Sequence, residues 1–329
     1  MATRRKTIPG WKLVWADEFE GDTVDRSKWD FDLGNGFYDY KNHAWVAGWG
    51  NEELQYYTHE PENVTVKDSL LTIRAVKAPL HGCGYTSARL KTKRRDGTVL
   101  FGKLYGRVEF RAKVPWGKGL WPALWMLPVD DKYGAWAASG EIDLMEIVGE
   151  KPHEVLNSIH FGSTYPKRSL ITTVHALPAG SLVSDWHTYA VEWEPGEIRF
   201  YVDEVQTCTY DHWWSCSRLK NGAGVEAKKE ADLNPWPAPF DQPFYLVMNV
   251  AVGGNFPGAP NEATKFPAEL VVDYVRVYDR AHDKVGGYGP PKPIGQGEFP
   301  WQKKAETPVK PAVDQPASKP ASKTRAKAR

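Results

Sequence analysis

The amino-acid sequence predicts an all-β fold, two antiparallel sheets packed as a sandwich or jelly roll. Three observations carry this: runs that alternate apolar and polar residues, Gly, Pro, Asn and Asp between the runs, and no long segment with a helical repeat. Alternation is the mark of an extended chain, whose successive side chains point to opposite faces. In chain order, residues 70–76 alternate imperfectly, and residues 105–114, 188–193 and 198–202 alternate well. The apolar stretches 244–252 and 270–278 complete the set. Around these strands the chain divides into an N-terminal extension (1–10), a body (11–280), a Gly/Pro-rich linker (281–302) and a tail (303–329). The tail is built from Ala, Pro, Lys, Ser and Thr without aromatics, a composition that cannot bury enough apolar surface to fold, so it is expected to be disordered.

Charge and composition narrow the function. The net charge of +1 hides an asymmetry: residues 302–329 carry eight Lys/Arg and two Asp/Glu, which leaves the rest of the chain at −5. A mildly acidic body lacks the basic footprint that nucleic acid requires, so no nucleic-acid partner is expected. No apolar run approaches the ~18 residues of a membrane-spanning helix, and residues 1–15 contain no apolar signal core, so no membrane insertion is expected and no signal peptide is visible. Cys83, Cys208 and Cys216 show no metal-ligand spacing. A Cys208–Cys216 bridge and three free thiols both fit the sequence. The unusual feature is aromatic content, with 15 Trp, 15 Tyr and 12 Phe, enough to supply flat platforms for sugar rings.

The segment that carries chemistry is Ser139-Gly140-Glu141-Ile142-Asp143-Leu144-Met145-Glu146-Ile147. On a regular strand Glu141 and Asp143 share one face and Ile142 and Leu144 the other. Strict alternation would turn Glu146 into the apolar face, at high cost for an ionised carboxylate. A β-bulge at Leu144-Met145 adds one residue and returns Glu146 to the acidic face. Three carboxyls on one strip suit glycoside hydrolysis, in which retaining enzymes place two carboxyls about 5–5.5 Å apart. Crowded acids also hold a proton near neutral pH. A solvated acidic edge or a divalent-cation site is the alternative for three acids taken alone. Upstream, Trp121 and Trp125 are four residues apart and so share a face, which suits a sugar platform beside the acids.

These residues resemble glycoside hydrolase family 16, and within it the laminarinase branch, whose bulged pattern E-x-D-x-x-E is matched by Glu141, Asp143 and Glu146. Further matches are 49–58, 85–90, the Trp121 to Pro128 block, His160-Phe161-Gly162, 189–193, 249–254 and 272–278. The resemblance implies a concanavalin A-like β-jelly roll whose concave sheet forms the substrate cleft. It implies a retaining endo-β-1,3-glucanase, with mixed β-1,3/1,4-glucan as a second substrate. Glu141 would be the nucleophile and Glu146 the acid/base, with Asp143 tuning the nucleophile. Trp121 and Trp125 would shape the subsite at the scissile sugar, and Asn51 and Arg89 would contact sugar hydroxyls. His160 would lie near the acid/base, and Trp136 would either add a stacking face or pack a loop. No cofactor is implied for catalysis. A structural calcium is implied at Glu18 and Asp273, unless these are ordinary surface acids. A monomer acting outside the cytoplasm, whether extracellular, periplasmic or at the cell surface, is the further expectation. The long insert 211–239, with Trp213 and Trp214, and the segment 30–48 depart from the family pattern and are expected to rim the cleft. Alternatives are cleavage of an agar-type galactan, transglycosylation, and non-catalytic glucan recognition, the last disfavoured because all three acids are present.

Overall fold

The computed structural model describes residues 7–39, 43–281 and 288–303. Sixteen strands build the two main sheets. In chain order they are β1 (Trp11–Asp17), β2 (Asp30–Asp32), β3 (Val64–Lys67), β4 (Leu70–Ala75), β5 (Arg89–Lys91), β6 (Gly106–Lys113), β7 (Leu120–Pro128) and β8 (Glu141–Glu146). They continue as β9 (Glu154–Ser163), β10 (Arg168–Ala176), β11 (His187–Glu194), β12 (Glu197–Val202), β13 (Val205–Tyr210), β14 (Ser215–Cys216), β15 (Phe244–Val252) and β16 (Ala268–Arg280). One sheet runs β13-β12-β11-β6-β16-β4-β3, with β1 added against β16. The other runs β10-β9-β8-β7-β15-β5-β2, with β14 paired in parallel to β9. This is the two-sheet architecture that the alternating runs predict.

The core lies between the sheets. β8 contributes Ile142, Leu144 and Met145, and the facing sheet contributes Phe110, Val191 and Val275, all fully buried. Trp193 of β11 packs edge-on against Phe244 of β15, ring centres 5.2 Å apart, which ties the two layers together. Each such side chain contributes roughly 1.5–3 kcal/mol by leaving water.

Packing corrects one sequence expectation, chooses between the two cysteine readings, and places residues 288–303. Trp213 and Trp214 do not rim a cleft. Both are buried, with Trp213 against Trp236 at 4.6 Å and its indole N–H donating to Pro237 O at 2.8 Å. Cys208 and Cys216 form no bridge, and all three cysteines are free. Residues 288–303 are docked on the body. Trp236 Nε1 donates to Lys292 O at 2.8 Å, Gly295 N donates to Asp211 O at 2.7 Å, and Phe299 packs on His212 at 5.0 Å. The tail beyond residue 303 and residues 1–6 lie outside the described residues.

Candidate active site

The site is built on β8 and its neighbours. Against β7, Asp143 faces Trp125 and Met145 faces Leu124, so Leu144 has no opposite residue. Against β9, Asp143 faces Ser158 and Glu146 faces Leu156, again with one extra residue on β8. The bulge therefore falls at Leu144-Met145, and both side chains are fully buried. Glu141, Asp143 and Glu146 end on the face away from the second sheet.

The pairing also lines up a row across this sheet. Glu146 faces Ala123 on β7, Ala123 faces Asn249 on β15, Asn249 faces Arg89 on β5, and Arg89 faces Asp32 on β2. Four strand steps span on the order of 19 Å. A polymer crossing the strands beside the acids would follow this row.

Tryptophan N–H groups anchor the site. Trp121 donates to Glu146 Oε1 at 2.8 Å, and Trp136 donates to Glu141 Oε2 at 2.8 Å. Trp125 instead donates to Asn249 Oδ1 at 2.8 Å, and Asn249 Nδ2 donates to the Tyr57 hydroxyl at 3.1 Å. Trp136 is thus a direct hydrogen-bond partner of an acid, a contact that neither reading of it named. Phe256 lies 5.2 Å from Trp121, ring centre to ring centre.

His160 sits elsewhere than expected. It is opposite Glu141 on β9, with Nε2 3.5 Å from Glu141 Oε1 and 3.4 Å from Asp143 Oδ2. Those contacts put it at the Glu141 end, not beside Glu146. The Trp136 ring lies 5.4 Å from its ring, centre to centre, and the Arg168 guanidinium lies 5.2 Å from the Trp136 ring centre.

Asn51 and Arg89 are both held by protein groups. Asn51 donates to Glu53 Oε1 at 3.0 Å, and the same glutamate accepts from Gln55 at 2.6 Å. Arg89 pairs with Asp32 at 3.0 Å, and its guanidinium lies 4.8 Å from the ring centres of both Trp49 and Trp125. This is a cation–π arrangement, which desolvation strengthens.

Burial controls the ionisation. It raises all three acids of β8. Burial, then the Glu146 charge, push Glu141 up to about 8, opposed by the Trp136 N–H and by Arg89 and Arg168. Asp143 is pushed well above the carboxylate range by burial and by both glutamates, with no opposing partner. Glu146 is raised by burial against the Trp121 N–H. The cluster therefore retains protons at neutral pH, and Asp143 is the natural holder of one. His160 is lowered to about 3 by burial and by Arg168, so it is neutral in the working range.

Both residues of the calcium expectation are engaged by arginines. Glu18 accepts from Arg276 through both oxygens, at 2.9 and 2.8 Å, and Asp273 accepts from Arg111 at 2.6 Å. Among the described residues the one three-member group with metal-ligand spacing is Glu141, Asp143 and His160, inside the acid cluster itself.

Sequence reasoning did not single out Asp32, Glu53, Tyr57 or Asn157 as supports for the site. A signal existed for Asn157, which on an alternating strand shares the face of Val155 and Ile159.

A β-sandwich with carboxyls and indoles on one outer face defines a class: a glycoside hydrolase that works on a sugar polymer laid across the strands. Residues 51–214 match Glycosyl hydrolases family 16. Beta-glucanase of Rhodothermus marinus is 42% identical over 282 residues, covering 84% of this chain and 87% of that protein. Glucan endo-1,3-beta-glucosidase A1 of Niallia circulans is 44% identical over 283 residues, covering 82% of this chain and 38% of that longer protein. Among solved structures, the laminarinase from Rhodothermus marinus superposes with a TM-score of 0.65 at 40% identity, covering 83% of this chain and 98% of that one. The chain belongs to glycoside hydrolase family 16.

Proposed function

We propose that this protein is a retaining endo-β-1,3-glucanase, with mixed-linkage β-1,3/1,4-glucan as a second substrate. The observation that carries the proposal is two glutamates on one bulged strand, each receiving a tryptophan N–H. In the first step the Glu141 carboxylate attacks the anomeric carbon while Glu146 passes its proton to the departing glycosidic oxygen. In the second step Glu146 takes a proton from water, which displaces Glu141 and restores the anomeric configuration. Trp136, Arg89 and Arg168 favour the Glu141 anion, and Asp143 keeps a proton within the cluster, so the site does not carry three charges. Trp121 holds Glu146 by one oxygen and leaves the other for proton transfer. A polymeric substrate is too large to enter a cell, so the enzyme is inferred to act outside the cytoplasm, as a monomer.

The test is incubation of purified protein with laminarin, lichenan, curdlan and agarose, following reducing ends and product sizes. Laminarin is expected to be cut fastest, to short oligosaccharides, and E141S to lose nearly all turnover. Cleavage of agarose alone would reassign the cleft to galactans. Binding of laminarin without cleavage would overturn the enzymatic reading of this site. Products longer than the substrate would make it a transglycosylase.

A further inference from the structure

The bulge that returns Glu146 to the acidic face leaves Leu144 without a partner residue on either neighbouring strand. Its carbonyl is nevertheless satisfied. Asn157 of β9 donates to it through Nδ2 at 2.7 Å, and both residues are fully buried. Asn157 is in turn fixed from the opposite sheet. Its Oδ1 accepts from the Thr207 hydroxyl at 2.6 Å, and its main-chain oxygen accepts from the Tyr210 hydroxyl at 2.9 Å. Thr207 and Tyr210 both lie on β13. Tyr210 is also 2.9 Å from the Thr173 hydroxyl on β10. A polar chain thus runs from β13 in the opposite sheet to the Leu144 carbonyl at the bulge of β8.

We propose that Asn157 is a positioning residue that holds the extra residue of β8 in place and thereby sets the placement of Glu146 relative to Glu141. The physical reason is the alternation of a strand. A one-residue slip exchanges the two faces, so loss of the bulge turns Glu146 toward the core. Keeping a bulge in the core requires that its unpaired carbonyl be satisfied, since a buried acceptor without a donor loses its hydrogen bonds to water with no replacement. An apolar residue at 157 would leave that carbonyl unpaired and favour the regular strand. The inference rests on the acid/base role proposed above for Glu146.

The test separates loss of the acid from loss of folding. N157L, N157D and T207V are compared with the native protein on laminarin and on a dinitrophenyl β-laminaribioside, whose leaving group needs no proton. Positioned general acids contribute about 10²–10⁴-fold. N157L is therefore expected to lose about 100-fold or more in kcat on laminarin, with KM nearly unchanged, and less than about tenfold in the glycosylation rate on the aryl substrate. In N157D the carboxyl donates to Leu144 O only when protonated, so laminarin activity relative to native should recover as pH falls. T207V, whose native hydroxyl bonds Asn157 and not β8, should show the same substrate bias at smaller amplitude, and it keeps the test open if N157L does not fold. Equal losses on both substrates, or losses that track melting temperature alone, would overturn the proposal. Wild-type cleavage of laminarin tests the glucanase reading separately, because the substrate bias is read as a ratio to wild type on whichever polymer it cuts.

Discussion

Each glutamate of β8 receives one indole N–H, and the two donors come from different places, Trp121 on β7 and Trp136 in the loop before β8. A hydrogen bond to a carboxylate favours its charged form. Removing Trp136 as a donor should therefore raise the proton affinity of Glu141, already high through burial. W136F is expected to move the acid limb of the kcat/KM profile to higher pH by about one unit, the size of one charge-assisted hydrogen bond. Activity at pH 5 should then fall about tenfold and activity above the limb much less, as a pH profile on laminarin would show. A uniform loss at every pH would mean that Trp136 acts as a platform and not as a donor. His160 is neutral across this range because burial and Arg168 disfavour its cation, so it does not add a limb of its own.

At the scale of elements, two devices shape the molecule. One is the bulge, which costs β8 a ladder position and gains the third acid its face. The other is the segment 288–303, which runs over the insert between β13 and β15 and fastens it. Phe299 and Trp301 stack at 4.9 Å and pack on the core edge, and Lys292 reaches Glu197 at 2.6 Å. The fit is close. A Cβ on Gly297 would come within 2.2 Å of His212, and one on Gly295 within 2.1 Å of Asp211. Replacing both Phe299 and Trp301 by Ala removes partly buried apolar surface, and melting is expected several degrees lower, at about 2–4 °C per kcal/mol for a domain of this size. Turnover per folded molecule at 25 °C should not change, since neither ring touches the acid cluster. A thermal melt paired with a laminarin assay checks both halves of this expectation.

At the scale of the whole molecule, the acid cluster sets a conflict between stability and activity. Glu141, Asp143 and Glu146 all have proton affinities raised on folding, so the folded state binds more protons than the unfolded one between the ordinary carboxylate range and about 8. The stability these three groups contribute then falls as pH rises through that window. The double variant E141Q/D143N removes two of the three groups. It is expected to melt only slightly above wild type near pH 4.5 and several degrees above it near pH 8. Melting curves across that range decide the matter, and a gap that stays constant with pH would mean that the acids are not held against their charge.

What the sequence by itself determined is local in origin. Strand alternation is a property of consecutive residues, so the two-sheet architecture could be read from runs such as 105–114 and 188–193. The bulge at Leu144-Met145 followed from the cost of turning one glutamate inward. Partnerships were a different matter. Glu18 meets Arg276 across 258 residues of chain, and Asn249 meets Tyr57 across 192. No local pattern reports such a pairing, which is why Glu18 and Asp273 resembled metal ligands while the fold gives each an arginine. For the same reason Trp213 and Trp214, which suggested a cleft rim, went to the core, and His160 settled beside Glu141. A side chain's chemistry is written in its own position, but its neighbours and its dielectric surroundings are fixed only when distant strands pair. The tertiary structure therefore decided which carboxyls are crowded, which are neutralised and which residues hold them there.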